Sequence, residues 1–132
     1  MIVLHAALVL RRIRGRGKRA DGVAQLMLEI LFDDMDRNLR ELGVGDLSVG
    51  RKVQEMAKAY LGRATAYENA LGDESTSELE DALARNLYRG VPPPPPILTA
   101  MTRYVRTTAT GLDAQSLDTL CAGGVVFAQP RP

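Results

Sequence analysis

The chain of 132 residues carries 17 basic and 16 acidic side chains for a net charge of +1, so the molecule as a whole is neither a polyanion binder nor an acidic solvating protein. Its length suits one domain, and 45% hydrophobic residues with 5% aromatics and no Trp require a core of Leu, Val, Ala, Met and Ile. The single cysteine, Cys121, excludes an internal disulfide or a cysteine-based zinc cluster and reads as a small buried hydrophobe.

Taken in chain order, Ile2 to Leu10 is apolar but far short of the ~20 residues that span a bilayer. Its positive charges follow the apolar run, and no small-residue cleavage site appears, so it is neither a signal peptide nor an anchor. A cytoplasmic chain is expected, at most peripheral to the inner membrane. His5, the only histidine, lies inside this run and reads as a packed, hydrogen-bonded residue rather than a catalytic base.

Arg11, Arg12, Arg14, Arg16, Lys18 and Arg19 then place six positive charges in nine residues. Two readings stay open. One is a docking patch for an anionic surface, either ribosomal RNA or acidic lipid headgroups. The other is a solvated loop whose first arginines favour a helix C-terminus. Gly15, Gly17 and Gly22 follow no strand and precede no Gly-Lys-Ser/Thr, which excludes a nucleotide loop. No aromatic residue is interleaved for base stacking.

Val23, Leu26, Met27, Ile30, Leu31, Met35, Leu39 and Leu42 step by threes and fours, predicting a helix closed by Gly43. Its other face holds Asp33, Asp34 and Asp36. Di-metal sites in bundles use Glu-x-x-His pairs, which this chain lacks, and Arg37 and Arg40 follow within reach, so surface ion pairs are the better reading. A second long helix, capped by Asp46 or Ser48, carries Val49, Val53, Met56, Ala57, Tyr60, Leu61, Ala64, Tyr67 and Leu71 on its apolar face. The short link Gly43 to Asp46 predicts a long antiparallel hairpin. Gly50 and Gly62 inside that helix suggest close helix–helix approach.

After Gly72, a third helix capped by Ser75 or Ser77 bears Leu79, Leu83 and Leu87 up to Gly90. Pro92 to Pro96 predicts a stiff extended spacer, with Pro96 suited to the first turn of the next helix. That helix runs to a break at Gly111, and Asp113 is placed to cap a last short helix through Leu117 and Leu120. The fold class is all-α: a single-domain helical bundle over residues 1–111 with the spacer 92–96 inside it, then a short terminal helix and frayed tail over 112–132.

Three stretches carry a resemblance to a known family: MIVLHAALVLRRIR at Met1 to Arg14, LFDDMDRNLRELGVGDLSVGRKVQEMA at Leu31 to Ala57, and ALARNLYRG at Ala82 to Gly90. Together they resemble the bacterial branch of the ubiquinol–cytochrome c chaperones, most specifically at Asp36 to Gly50. The resemblance spans roughly Met1 to Gly111. It implies a mainly helical fold, no enzymatic activity and no cofactor. It also implies a role in assembling the respiratory cytochrome bc complex by holding newly made cytochrome b, or another membrane subunit, near the ribosome. The family has further sequence before its Leu-His segment, whereas this chain starts close to Leu4-His5. Ile2, Val3, Leu8 and Val9 are therefore expected to form an open apolar patch and a route to homo-oligomers. Candidate partner contacts are Arg11, Arg12, Arg14, Arg16, Lys18, Arg19, Asp33, Asp34, Asp36, Arg37, Arg40 and Asp46. The competing function is a ribosome- or RNA-binding helical module acting through residues 11–19. No acid–base pair, nucleophile or cofactor motif supports an enzyme.

Overall fold

The computed structural model describes residues 1–130, and among them every regular element is a helix. Helix α1, Ile2–Ile13, buries Leu4, Ala7, Leu8, Val9, Leu10 and Ile13. A helix that is apolar almost all round cannot lie on a surface. It runs instead through the centre, against the helices described next and the chain's tail. The expected open patch is thereby corrected. Leu8 and Val9 are buried and Val3 is half-covered, leaving only Ile2, at 77% exposure, in the open. The cover comes from segments remote in sequence, so no local pattern could announce it.

Helices α2, Lys18–Glu41, and α3, Asp46–Gly72, form the hairpin that the short link requires. Gly43 has φ +83°, and the bonds Gly43 N–H to Arg40 O and Val44 N–H to Leu39 O, both 3.0 Å, end α2 in a Schellman turn. Neither Asp46 nor Ser48 caps α3. Gly45 takes that position, Asp46 turns to Arg40, and the Ser48 hydroxyl donates to Gly45 O at 3.0 Å. Arg40 also donates to Asp36 at 2.7 Å, so one guanidinium ties both sides of the turn together. The hydrogen bond and charge of Asp36, then those of Asp46, hold the Arg40 pKa above its usual value.

The hairpin meets the core through α2 as far as Phe32 and through α3 from Tyr60 onward. Buried residues of α2 are Ala20 and Ala24, whereas α3 buries Tyr60, Tyr67 and Ala70 near its C-terminal end. Phe32 and Tyr60 pack edge to face at 6.1 Å. Val49 is sealed separately, outside the main core. Gly50 and Gly62 mark no close approach, because a Cβ on either would meet nothing within 4 Å.

Helix α4, Thr76–Asn86, sets Leu79, Ala82 and Leu83 into the core, with Ser75 at its N-cap position but bonded to the Ser77 hydroxyl. Helix α5, Pro95–Ala114, takes in the last two of the five prolines, since its first amides need no acceptor. Gly111 does not break it: the neighbouring Leu112 is buried and holds that turn against the core. Helix α6, Leu117–Cys121, is capped by Ser116, which accepts from the Thr119 N–H, and not by Asp113. The tail that follows was expected to fray. Through Phe127 it packs on the core, and the Gln115 side chain clasps the Val126 backbone at 2.9 and 2.7 Å. Arg131 and Pro132, the last part of that tail, lie outside the described residues.

Candidate functional site

Two arginines of the basic segment, Arg11 and Arg12, are half-buried struts, and a third, Arg19, makes an exposed ion pair. Arg11 Nη2 donates to Asp113 Oδ2 at 2.6 Å, joining α1 to α5. Arg12 donates to the carbonyls of Leu112 at 3.1 Å and Gln115 at 3.0 Å, adding to the Gln115 bonds that close the C-terminus of α5. Arg19 pairs with Asp118 at 2.9 Å, joining α2 to α6. Arg14, Arg16 and Lys18 are exposed and have no ion-pair partner among the described residues.

The acidic residues sit elsewhere. Asp36 and Asp46 are held by Arg40, and Asp34 accepts from Asn38 at 3.1 Å. Asp33 and Arg37 are exposed. From Lys18 to Asp36 is ~27 Å along one helix. The fold therefore separates the basic and acidic groups to opposite ends of α2 rather than joining them into one surface. No group of three or more His, Cys, Asp or Glu among the described residues is arranged to hold a metal.

Two concave features do gather side chains from several elements. The first is an apolar groove of about 540 Å³ lined by Met1 just before α1, Ile2 and Val9 within it, Val23 and Met27 of α2, and Phe127 of the tail. His5 forms part of its wall. One ring nitrogen bonds Met1 O at 3.0 Å and the other the Tyr104 hydroxyl at 2.7 Å, while Phe127 meets the ring edge-on at 4.8 Å. Leu26 and Ile30, one turn further along α2 from Val23 and Met27, are more than half exposed. The sequence places Val23 and Met27 on a core face and dismisses the tail; only their convergence makes a groove.

The second is a cavity of about 350 Å³ between α1 and α3, lined by Arg11, Arg14, Tyr60, Ala64, Tyr67 and Glu68 among others. Burial pushes the Tyr60 phenol up to about 12, against a smaller downward pull from Arg14. Burial raises Tyr67 in the same way, with Arg63 opposing it. Nothing in the sequence beyond the helical spacing of these tyrosines points to this cavity.

The sequence model of the ubiquinol–cytochrome c chaperone family matches residues 1–127. Among solved structures, the Cbp3 homolog from Brucella abortus superposes with a TM-score of 0.86 at 30% identity, covering 97% of this chain and 70% of the other. No curated protein matches the chain.

Proposed function

The chain belongs to the ubiquinol–cytochrome c chaperone family, and we propose that it assists cytochrome bc assembly by holding newly made cytochrome b in the apolar groove. The groove is the observation that carries this reading. An unassembled membrane subunit exposes apolar segments that aggregate in water, and a holding protein must offer apolar surface without being consumed by its own core. Ile2 remains exposed at the groove's edge although every other residue of α1 is buried or half-buried. Met1 and Met27 add flexible, polarisable side chains suited to segments of varied shape. No helix among the described residues is long and apolar enough to cross a membrane, so the groove and not a membrane span would meet the client.

The RNA-binding alternative has less to work with. Arg11 and Arg12 are held against α5 and Arg19 is in a weak exposed pair, leaving Arg14, Arg16 and Lys18 on the surface. Those three would serve as an auxiliary anchor to an anionic surface near the site of synthesis.

Complementation tests the reading. A strain lacking the gene should lose membrane cytochrome b absorbance and recover it with the wild-type gene. Ile2→Asp leaves the fold intact, because an exposed acid in the first turn suits the helix dipole, yet should fail to restore the absorbance. Full restoration by Ile2→Asp together with Met27→Glu would refute the groove; an unchanged cytochrome b level on deletion would refute the chaperone role.

A further inference from the structure

The cavity between α1 and α3 contains two tyrosines in an unusual state. Tyr60 is 3% exposed and Tyr67 2%, yet neither hydroxyl bonds any described residue. Buried phenols ordinarily find a partner. Nor are these hydroxyls sealed in, since the sealed side-chain atoms without partners are Arg11 Nε and Thr108 Oγ1. Both therefore open into the cavity they line. Like any phenol, with a usual pKa of ~10, both are protonated and able to donate across the physiological range, and burial shifts them further the same way.

The charges around the cavity are not evenly spread. Arg14 has no carboxylate at ion-pair distance and lies close enough to Tyr60 to act on its ionisation. At the other end, Arg11 is committed to Asp113, while Glu68 has no cation at ion-pair distance among the described residues. Arg11 and Glu68 together also line the neighbouring cavity toward α5, which places them at the Tyr67 end. Tyr60 and Tyr67 are two turns apart, ~10 Å along the axis, with the small Ala64 between them. One end thus offers a guanidinium fork and a phenol to an anion, and the other offers a phenol and a carboxylate to hydroxyl groups. That span is too long for a bare tetrahedral oxyanion. It matches one joined to a short polyhydric alcohol.

We propose that this cavity is a binding site for the phosphate ester of a small polyol, with the phosphate between Arg14 and Tyr60 and the alcohol hydroxyls at Tyr67 and Glu68. The site is separate from the apolar groove, and its failure would leave the chaperone reading untouched. Calorimetric titration of the full chain with glycerol 3-phosphate should show binding at least about tenfold tighter than with inorganic phosphate. Arg14→Gln and Tyr60→Phe should each weaken the ester about tenfold. Glu68→Gln should erase the ester's advantage over inorganic phosphate, and Lys52→Gln, exposed on α3 and outside the cavity, should change nothing. No binding of the ester at ~10 mM, or an equal loss in Arg14→Gln and Lys52→Gln, would overturn the proposal. Co-sedimentation with phosphatidylglycerol–phosphatidylcholine vesicles, compared with phosphatidylcholine alone, separates the sources. Capture lost in Tyr60→Phe assigns the site to a lipid headgroup, whereas ester binding without vesicle capture assigns it to a soluble ester.

Discussion

Thr108 and Tyr60 are both buried polar residues, but their hydroxyls have different surroundings. The Thr108 hydroxyl is sealed in the core without a partner, whereas nearby Thr102 donates to Leu98 O at 3.0 Å. An unsatisfied buried hydroxyl costs free energy that an isosteric methyl does not. Thr108→Val is therefore expected to raise stability by ~1 kcal/mol, read as a higher denaturation midpoint at unchanged slope. Tyr60 is held protonated by burial, with its folded pKa raised to about 12. A raised pKa contributes stability that is complete below the unfolded value of ~10 and is lost as pH climbs through the folded value. Tyr60→Phe removes that proton linkage, so the alkaline unfolding midpoint should move upward. A midpoint that stays in place would assign alkaline unfolding to other groups. His5 illustrates what was legible at this scale: a lone histidine in an apolar run reads as a packed residue, and it bonds Met1 and Tyr104.

Among elements, the α2–α3 hairpin departs most from a conventional bundle. Of the large apolar side chains left exposed, Leu26, Ile30, Leu42, Leu47, Met56 and Leu61 all belong to it. Its apolar periodicity was plain in the sequence, but periodicity says only that one face is apolar, not that anything covers it. The same gap explains Gly50 and Gly62. Glycine inside a helix costs ~1 kcal/mol against Ala, and close packing is the usual compensation, yet both positions face open space. Gly50→Ala and Gly62→Ala are each expected to stabilise the protein by ~1 kcal/mol, measured by chemical denaturation. A loss of stability at either site would mean that something packs there in solution. The Schellman turn at Gly43 was legible because its signal is local: a glycine just after the last periodic leucine.

At the scale of the whole molecule, α1 is the spine on which α2, α3, α5 and α6 meet, with α4 packed on α3 and α5. Leu8→Ala should cost ~3 kcal/mol, in the range for a sealed core leucine. Leu47→Ala, at the exposed hairpin tip, should fall within ~0.5 kcal/mol of wild type. Equal losses at the two sites would show that the hairpin folds back onto the core. The division matters for function, because the core takes only Ala20 and Ala24 fully from α2 and leaves Val23 and Met27 partly open to form one wall of the groove.

The helices, the hairpin and its closing turn are written in the chain by spacing and by single residues, and so is the family, through the stretches at Met1 to Arg14 and Leu31 to Ala57. These signals survive without tertiary structure because their partners lie within a few residues. The commitments of Arg11, Arg12 and Arg19, the burial of Leu8 and Val9, the groove and the tyrosine cavity were decided only by folding. Each depends on groups about a hundred residues away, or on two helices meeting at one depth. Charge and periodicity specify what a side chain prefers; which distant element arrives to meet it is settled by packing.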